Sequence, residues 1–113
     1  MNQLSGLPIL LVEMTGAKSG KARTIPLMYV PNDNGFVLVA SQGGAPRHPV
    51  WYHNLVAHPK VRITFAGKTK EMVVREVVDQ EKAELWKICC RYYPPYQEYQ
   101  DRTDRVIPVF ICE

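Results

Sequence analysis

Short apolar runs separated by turns that contain glycine or proline are the feature that most constrains the fold of this 113-residue chain. Residues 8–15 and 23–30 are strand-like, and Gly16 and Gly20 between them allow the positive φ of a tight turn. The run Asn-Asp-Asn-Gly at 32–35 is a strong hairpin signal before a third, continuously apolar run at 36–40. We expect three antiparallel strands, the third of them buried on both faces.

The rest of the chain predicts three further strands and two helices. Pro49 suits the first turn of one helix, and Asp79 is expected to cap the other. Pro26 inside the second strand indicates an edge strand or a bulge. The further strands are expected at residues 60–65, 69–78 and 107–112, and a short helical turn at 96–101. About six antiparallel strands with helices across the openings describe a mainly β fold, a small barrel or rolled sheet, in one domain of residues 1–113.

The composition excludes several classes of protein. With 46% hydrophobic and 22% charged residues, the chain differs from disordered, collagenous and coiled-coil proteins. The apolar stretch 7–12 is far shorter than the roughly 20 residues of a membrane span. Residues 1–6 contain no Lys or Arg to begin a secretory signal, so we expect a cytoplasmic location. The three cysteines have no Cys-x-x-Cys spacing and are expected to be buried as small hydrophobic residues.

Positive charge is concentrated in the first half of the chain. Residues 1–62 contain six basic and two acidic residues, a balance of +4, whereas residues 63–113 have a balance of −1. Lys18, Lys21 and Arg23 lie within six residues, among glycines and away from any acid. Such a turn is able to hold a phosphate or carboxylate, although a solvated basic hairpin turn is equally consistent with the residues alone.

A loop of small residues at 41–45 follows the apolar third strand and precedes a predicted helix. Backbone amides in this position commonly approach a phosphate or a planar ring, although an ordinary flexible turn accounts for the same residues when they are taken alone. The spacing is neither that of a Rossmann fold nor that of a P-loop, so classical nucleotide binding is unsupported. His48, His53 and His58 recur every five residues and cannot share one helix face, so no metal site is expected.

Four tyrosines fall within eight residues, Tyr92, Tyr93, Tyr96 and Tyr99. Their phenols suit a planar aromatic substrate and are able to donate a proton to a carbonyl or nitro oxygen, or they pack over a barrel opening. The sequence has no Gly-x-Ser-x-Gly motif and few acids in its first half, which argues against hydrolysis. Redox chemistry with a bound organic cofactor requires fewer protein groups.

Together these segments resemble the deazaflavin-dependent nitroreductase or F420H2-dependent quinone reductase family, whose members have a split β-barrel similar to FMN-binding proteins. The resemblance covers nearly the whole chain. It is carried by residues 15–23, Pro26-Leu27, residues 41–44, residues 48–55, Tyr93-Pro94-Pro95-Tyr96-Gln97-Glu98-Tyr99-Gln100, Thr103-Asp104-Arg105 and residues 107–113.

The resemblance implies hydride transfer from reduced coenzyme F420 to a quinone or a nitroaromatic compound. Three cations would face the anionic tail of the cofactor, and the loop at 41–45 with the start of the following helix would line its phosphate and ring. The cofactor-binding residues would be Lys18, Lys21, Arg23, Pro26, Ser41, Gln42, Gly43, Gly44, Ala45, Pro49, Val50 and Trp51. The candidate catalytic residues, which border the substrate or supply a proton, would be Tyr93, Tyr96, Tyr99 and Ser41.

Two alternatives remain at this point. One is a split-barrel reductase that binds FMN, and the other is a small barrel that binds single-stranded nucleic acid through Lys60, Arg62 and exposed aromatic rings. The net charge of +3 and the acidic second half argue against nucleic acid. Relatives usually begin with a helical segment that can contact the membrane, whereas about seven residues precede the first strand here. We therefore expect the membrane-contacting segment to be absent or trimmed, and any membrane contact to be peripheral and to depend on that segment. The oligomeric state is left open between a monomer and a dimer.

Overall fold

The computed structural model describes residues 3–4, 7–33 and 35–113. Asn34, inside the predicted hairpin turn, lies outside this part of the chain, as do residues 1–2 and 5–6. The strands are β1 (Gln3–Leu4), β2 (Leu7–Thr15), β3 (Ala22–Met28), β4 (Pro31–Asn32), β5 (Gly35–Val39), β6 (Lys60–Phe65), β7 (Lys68–Val77) and β8 (Val109–Cys112). The helices are α1 (Val50–Ala57), α2 (Asp79–Tyr92) and α3 (Pro95–Arg102), and a 3-10 turn spans Gln42–Gly44.

All strand pairs in the described part of the chain are antiparallel. The sheet order is β1-β2-β6-β7-β8-β5-β4, and β3 pairs with β2 along its whole length. Pro26 therefore lies in an edge strand, as expected, where its missing N–H costs no ladder hydrogen bond.

Side chains from distant strands of this sheet share one core. Leu10 and Val12 of β2 lie in the same buried cluster as Ile63 of β6, Val74 of β7 and Phe110 of β8. Leu38 of β5 belongs to the same cluster, and since β2 and β5 lie near opposite ends of the path, the sheet curls around this core as a barrel does.

A second core lies on the other face of β5 and β8. Val37 and Val39 of β5 and Ile111 of β8 pack there with Leu85 of α2 and Tyr96 of α3. Since alternate residues of a strand face opposite sides, β5 and β8 contribute to both cores. The prediction that residues 36–40 are buried on both faces is therefore confirmed for residues 37–40, and α2 and α3 provide the second cover.

The hairpin predicted at 32–35 is confirmed, because β4 pairs antiparallel with β5, with Asn32 opposite Gly35, and the N–H of Val37 donates to the carbonyl oxygen of Val30 at 2.8 Å. The preceding strand β3 ends at Met28, and the other edge of β5 pairs with β8.

One local expectation was wrong. Asp79 does not cap α2: the N-cap residue is Val78, no side chain caps the helix, and Asp79 itself has a φ of 54°. The two extra strands, β1 and β4, are two residues long, too short to give a periodic sequence signal.

No helix in the described residues is both long and apolar enough to span a bilayer.

Candidate active site

A cleft of about 580 Å³ opens between the edge strand β3, the 3-10 turn, the start of α1 and the tyrosine-rich segment before and within α3. We call it the main cleft. Its volume is in the range of small-molecule sites. Its lining is predominantly apolar and includes Arg23, Ile25, Pro26, Leu27, Ser41, Gln42, Gly43, Pro49, Val50, Trp51, Asn54, Tyr93, Tyr96 and Tyr99.

The cleft loop, residues 41–45, contains three consecutive residues with left-handed backbones. Gln42 has a φ of 45°, Gly43 of 61° and Gly44 of 80°. For a residue with a side chain this conformation costs roughly 1–2 kcal/mol, so Gln42 is strained and the glycines are not. A Cβ on Gly44 would lie 2.7 Å from the carbonyl oxygen of Tyr99, so the loop is pressed against the backbone of α3.

Arg105, in the segment between α3 and β8, forms hydrogen bonds to backbone carbonyl groups of the cleft loop. Its Nη2 donates to the carbonyl oxygen of Ser41 at 2.6 Å, and its Nε donates to that of Ala45 at 2.7 Å. Its Nη1 lies 3.1 Å from the carbonyl oxygen of Ala40 and 3.0 Å from Nδ1 of His48. Partial burial lowers the pKa of Arg105, although arginine remains charged at any pH of interest.

The glycine turn between β2 and β3 is attached to α1 by a buried asparagine. Oδ1 of Asn54 accepts the backbone N–H of Ala17 at 2.8 Å, and its amide nitrogen lies 3.6 Å from the sulfur of Met14. Within the turn, the N–H of Gly16 donates to the carbonyl oxygen of Lys21 at 2.8 Å. The position of the turn is therefore fixed relative to the helix that lines the main cleft.

A second cavity of about 440 Å³ lies between this turn and α1, and we call it the turn groove. Lys18 and His53 line it, together with Arg23, Val50 and Asn54, which also line the main cleft. The two cavities therefore adjoin, and Arg23 provides a positive charge where they meet.

Three tyrosines form one wall of the main cleft. The hydroxyls of Tyr93 and Tyr99 lie 3.0 Å apart, and the ring of Tyr96 lies edge-on to both. The hydrogen bond to Tyr99 and partial burial raise the pKa of Tyr93, and burial raises that of Tyr96, so both phenols are protonated at neutral pH. Tyr96 is 4% exposed and belongs mainly to the second core, whereas Tyr93 and Tyr99 are half-buried.

The structure brings most of the residues predicted for the site together and separates four of them from the main cleft. Lys18 lies in the turn groove instead, and Lys21 lines neither cavity. Gly44 and Ala45 do not line the main cleft: Gly44 packs on α3, and the carbonyl oxygen of Ala45 accepts a hydrogen bond from Arg105. Within the described residues, no three His, Cys, Asp or Glu side chains gather as metal ligands.

Sequence reasoning missed Arg105 and Asn54 as organising residues of the site. Both lie in segments that carried the family resemblance, but neither is near its partners in the sequence. Arg105 contacts residues 57 to 65 positions away, and Asn54 contacts residues 37 and 40 positions away. The available sequence signal for Asn54 was a polar residue directly before the apolar run 55–57, and only the structure shows that its side chain is buried.

The family profile described as F420H(2)-dependent quinone reductase matches residues 1–113. The chain belongs to this family. An F420H(2)-dependent quinone reductase of Mycobacterium tuberculosis is 41% identical over 107 residues, which are 92% of this chain and 72% of that protein. A second, putative quinone reductase of M. tuberculosis is 33% identical over 105 residues, 93% of this chain and 88% of that protein.

Solved structures agree with this assignment. A structure titled F420-H2 dependent reductase has a TM-score of 0.88 and 48% identity and covers 94% of each chain. Another neighbour with the same score and identity is described as a domain-swapped dimer, with 94% of this chain and 80% of that one covered. The heme storage protein HutZ of Vibrio cholerae, at 16% identity and a TM-score of 0.68 over 93% of this chain and 80% of that one, shares the fold alone.

Family membership confirms the resemblance found in the sequence, the split-barrel fold and coenzyme F420 as the cofactor. The residues that line the two cavities fit coenzyme F420. An F420 family member must hold a planar ring and an anionic tail, and here an apolar, aromatic-walled cleft continues into a groove with Arg23 at the junction and Lys18 beyond it.

Proposed function

We propose that this member of the quinone reductase family transfers a hydride from reduced coenzyme F420 to a quinone, with the ring of the cofactor in the main cleft and its tail in the turn groove. When bound, the reduced cofactor supplies the hydride from the central ring of its deazaflavin. The observation that carries the proposal is the junction of the two cavities at Arg23, Val50 and Asn54. An elongated ligand with an apolar head and an anionic end is complementary to this shape and charge.

The protein residues would have separate tasks. Arg23 and Lys18 bind the tail electrostatically, and Lys21, which is exposed on the same turn, adds a longer-range attraction. Trp51, Pro26 and Val50 give the ring an apolar surface. The cleft loop contributes the hydroxyl of Ser41 and the backbone of Gln42 and Gly43, since the N–H groups of the next two residues are bonded within the 3-10 turn. Excluding water from this side strengthens the polar contacts that remain.

The tyrosines would supply a proton to the quinone that accepts the hydride. Reduction of a quinone by a hydride leaves an oxygen that needs a proton, and a protonated phenol at the cleft wall is a suitable donor. Tyr93 and Tyr99 are the better candidates because they are half-buried, whereas Tyr96 is almost completely buried. Ser41 or water remains the alternative donor. A nitroaromatic acceptor has the same planar shape and an oxygen that can accept a hydrogen bond, so we include it in the proposed substrate class.

The proposal is tested by stopped-flow oxidation of the protein-bound reduced cofactor with a short-chain quinone and a nitrobenzene derivative. We expect rapid quinone-dependent oxidation that slows when deuterium replaces the transferred hydrogen. Reduced FMN in place of F420 is the matched control, and oxidation of reduced FMN at an equal rate would favour the FMN-binding alternative. Failure of both quinone and nitro compound to oxidise the bound cofactor would refute the proposed reaction.

A further inference from the structure

A single guanidinium binds both ends of the cleft loop. Arg105 donates to the carbonyl oxygens of Ala40 and Ser41 where the loop begins, and to that of Ala45 where it ends. Between these points Gln42 has a left-handed backbone that a non-glycine residue adopts only when its surroundings impose it. The planar fork of arginine reaches three carbonyls at once, which the single ammonium of lysine cannot do with the same geometry.

The guanidinium of Arg105 also contacts His48, and this contact favours the neutral form of that histidine. Nη1 of Arg105 lies 3.0 Å from Nδ1 of His48. Arginine has only donors, so Nδ1 must accept, and the imidazole is neutral with its proton on Nε2. A proton on Nδ1 would place a cationic donor against another cationic donor and would break this contact.

Groups from several elements face His48. Arg105 lies in the segment before β8, Tyr52 and His53 lie on α1, and Glu76 lies on β7. Burial lowers the pKa of His48, Arg105 and His53 lower it further, and Glu76 opposes them. The ring of Tyr52, whose hydroxyl donates to Glu76 at 3.1 Å, lies with its centroid 4.4 Å from that of His48.

We propose that Arg105 and neutral His48 form a pH-sensitive lock that holds the cleft loop in the shape that binds coenzyme F420. The inference rests on the proposed function, because the loop is assigned there to the cofactor. Arg105 is a positioning residue: it acts through the carbonyls of Ala40, Ser41 and Ala45 rather than by touching the ligand. At acid pH the imidazolium repels the guanidinium, the loop loosens and affinity for the cofactor falls.

The direction and range of the effect follow from the lowered pKa of His48. A histidine with a depressed pKa is neutral at neutral pH, so the lock is complete there. It opens only as the pH falls below the ordinary histidine value of about 6.5. Cofactor affinity is therefore expected to be constant above neutrality and to decline in the mildly acidic range.

The first experiment compares Arg105→Lys, Arg105→Ala and the control Arg91→Ala, which removes an exposed arginine on α2. Binding of oxidised F420 is measured by fluorescence titration at pH 7.5, alongside the melting temperature of each variant. We expect about tenfold weaker binding for Arg105→Ala, about threefold weaker binding for Arg105→Lys, and no change for Arg91→Ala. If Arg105→Ala does not fold, Arg105→Lys, which keeps the charge but not the fork, decides the question.

The second experiment uses His48→Phe, which keeps a ring against Tyr52 and removes Nδ1. Its F420 dissociation constant and that of the wild type are measured from pH 5 to pH 8. Ionisation of the ligand affects both proteins equally, so the ratio of the two constants isolates His48. We expect the wild type to lose about fivefold in affinity relative to His48→Phe at the acid end.

A third readout needs no cofactor. Titration of the His48 imidazole by NMR in the cofactor-free protein should show a higher pKa in Arg105→Ala or Arg105→Lys than in the wild type, because the fixed cation beside Nδ1 is lost or displaced. Wild-type F420 binding that Arg105→Lys leaves unchanged, or pH profiles that run parallel in wild type and His48→Phe, would overturn the lock alone. No F420 binding to the wild type at any pH would overturn both the lock and the proposed function.

Discussion

The hydroxyl groups of Tyr93 and Tyr99 lie 3.0 Å apart, and both rings line the main cleft. One hydroxyl must donate to the other, so only one phenolic proton of the pair points away from the shared bond. The hydrogen bond to Tyr99 raises the pKa of Tyr93 and keeps it protonated. The pair therefore behaves as one proton-donating unit rather than as two independent phenols.

Replacing Tyr93 or Tyr99 by Phe tests this coupling. We expect each single variant to lower kcat for quinone reduction several-fold and to leave the dissociation constant of F420 nearly unchanged. The double variant should cost little more than either single one, because the two hydroxyls act together. Tyr92→Phe is the matched control, since Tyr92 is exposed and lines no part of the main cleft. Additive losses in the double variant would show that the hydroxyls act independently.

The basic turn gives a graded prediction, because the structure separates its three cations. Arg23 lines both cavities, Lys18 lines only the turn groove, and Lys21 lines neither. F420 affinity should fall by about tenfold in Arg23→Ala, by about threefold in Lys18→Ala, and least in Lys21→Ala. These losses should shrink as ionic strength rises, because exposed charges are screened by salt.

The control for the basic turn is the melting temperature, which should stay close to that of the wild type in all three variants because the side chains are exposed. Equal losses of affinity from Lys21→Ala and Arg23→Ala would contradict the placement of the tail in the turn groove and indicate a purely long-range attraction.

Substitutions at Gly43 and Gly44, two neighbouring glycines of the cleft loop, distinguish destabilisation by backbone strain from destabilisation by steric clash. An alanine Cβ at Gly43 would meet nothing within 4 Å, whereas at Gly44 it would lie 2.7 Å from the carbonyl oxygen of Tyr99. Both residues have a positive φ, so both substitutions strain the backbone by roughly 1–2 kcal/mol. Gly44→Ala should lower the free energy of unfolding by clearly more than Gly43→Ala in urea denaturation. Equal losses of unfolding free energy would mean that α3 shifts to accommodate the new Cβ at Gly44 without a loss of stability.

The sequence predicted local structure well wherever one element carried its own signal. The alternation of Val61 and Ile63 with Arg62 identified β6 and its buried face, and the glycine turn joined β2 to β3 as expected. The prediction of burial on both faces was correct for residues 37–40 of the run at 36–40, because an uninterrupted apolar strand has no polar face to turn to water.

Long-range relationships could not be obtained in this way. The pairing of β5 with β8 joins residues 70 to 76 positions apart, and no local signal in the sequence predicts which strands pair over that distance. From the sequence alone Arg105 resembles an exposed arginine, because the carbonyl groups that it binds lie 60 and 64 positions away. The predicted cap at Asp79 was wrong because an N-cap residue has an extended backbone, as Val78 does, whereas Asp79 has a left-handed φ of 54°.

The three cysteines give a prediction that depends only on burial. Burial raises the pKa of Cys89 and of Cys112 to about 12, and it also raises that of the half-buried Cys90. Because the thiolate is the reactive form, Cys89 and Cys112 should not react with Ellman's reagent at pH 8 in the folded protein, and Cys90 should react slowly. Cys90→Ser should abolish the slow phase, and all three thiols should react in denaturant. Rapid reaction of two or more thiols in the folded protein would contradict the burial of Cys112 in the first core and of Cys89 in the second core.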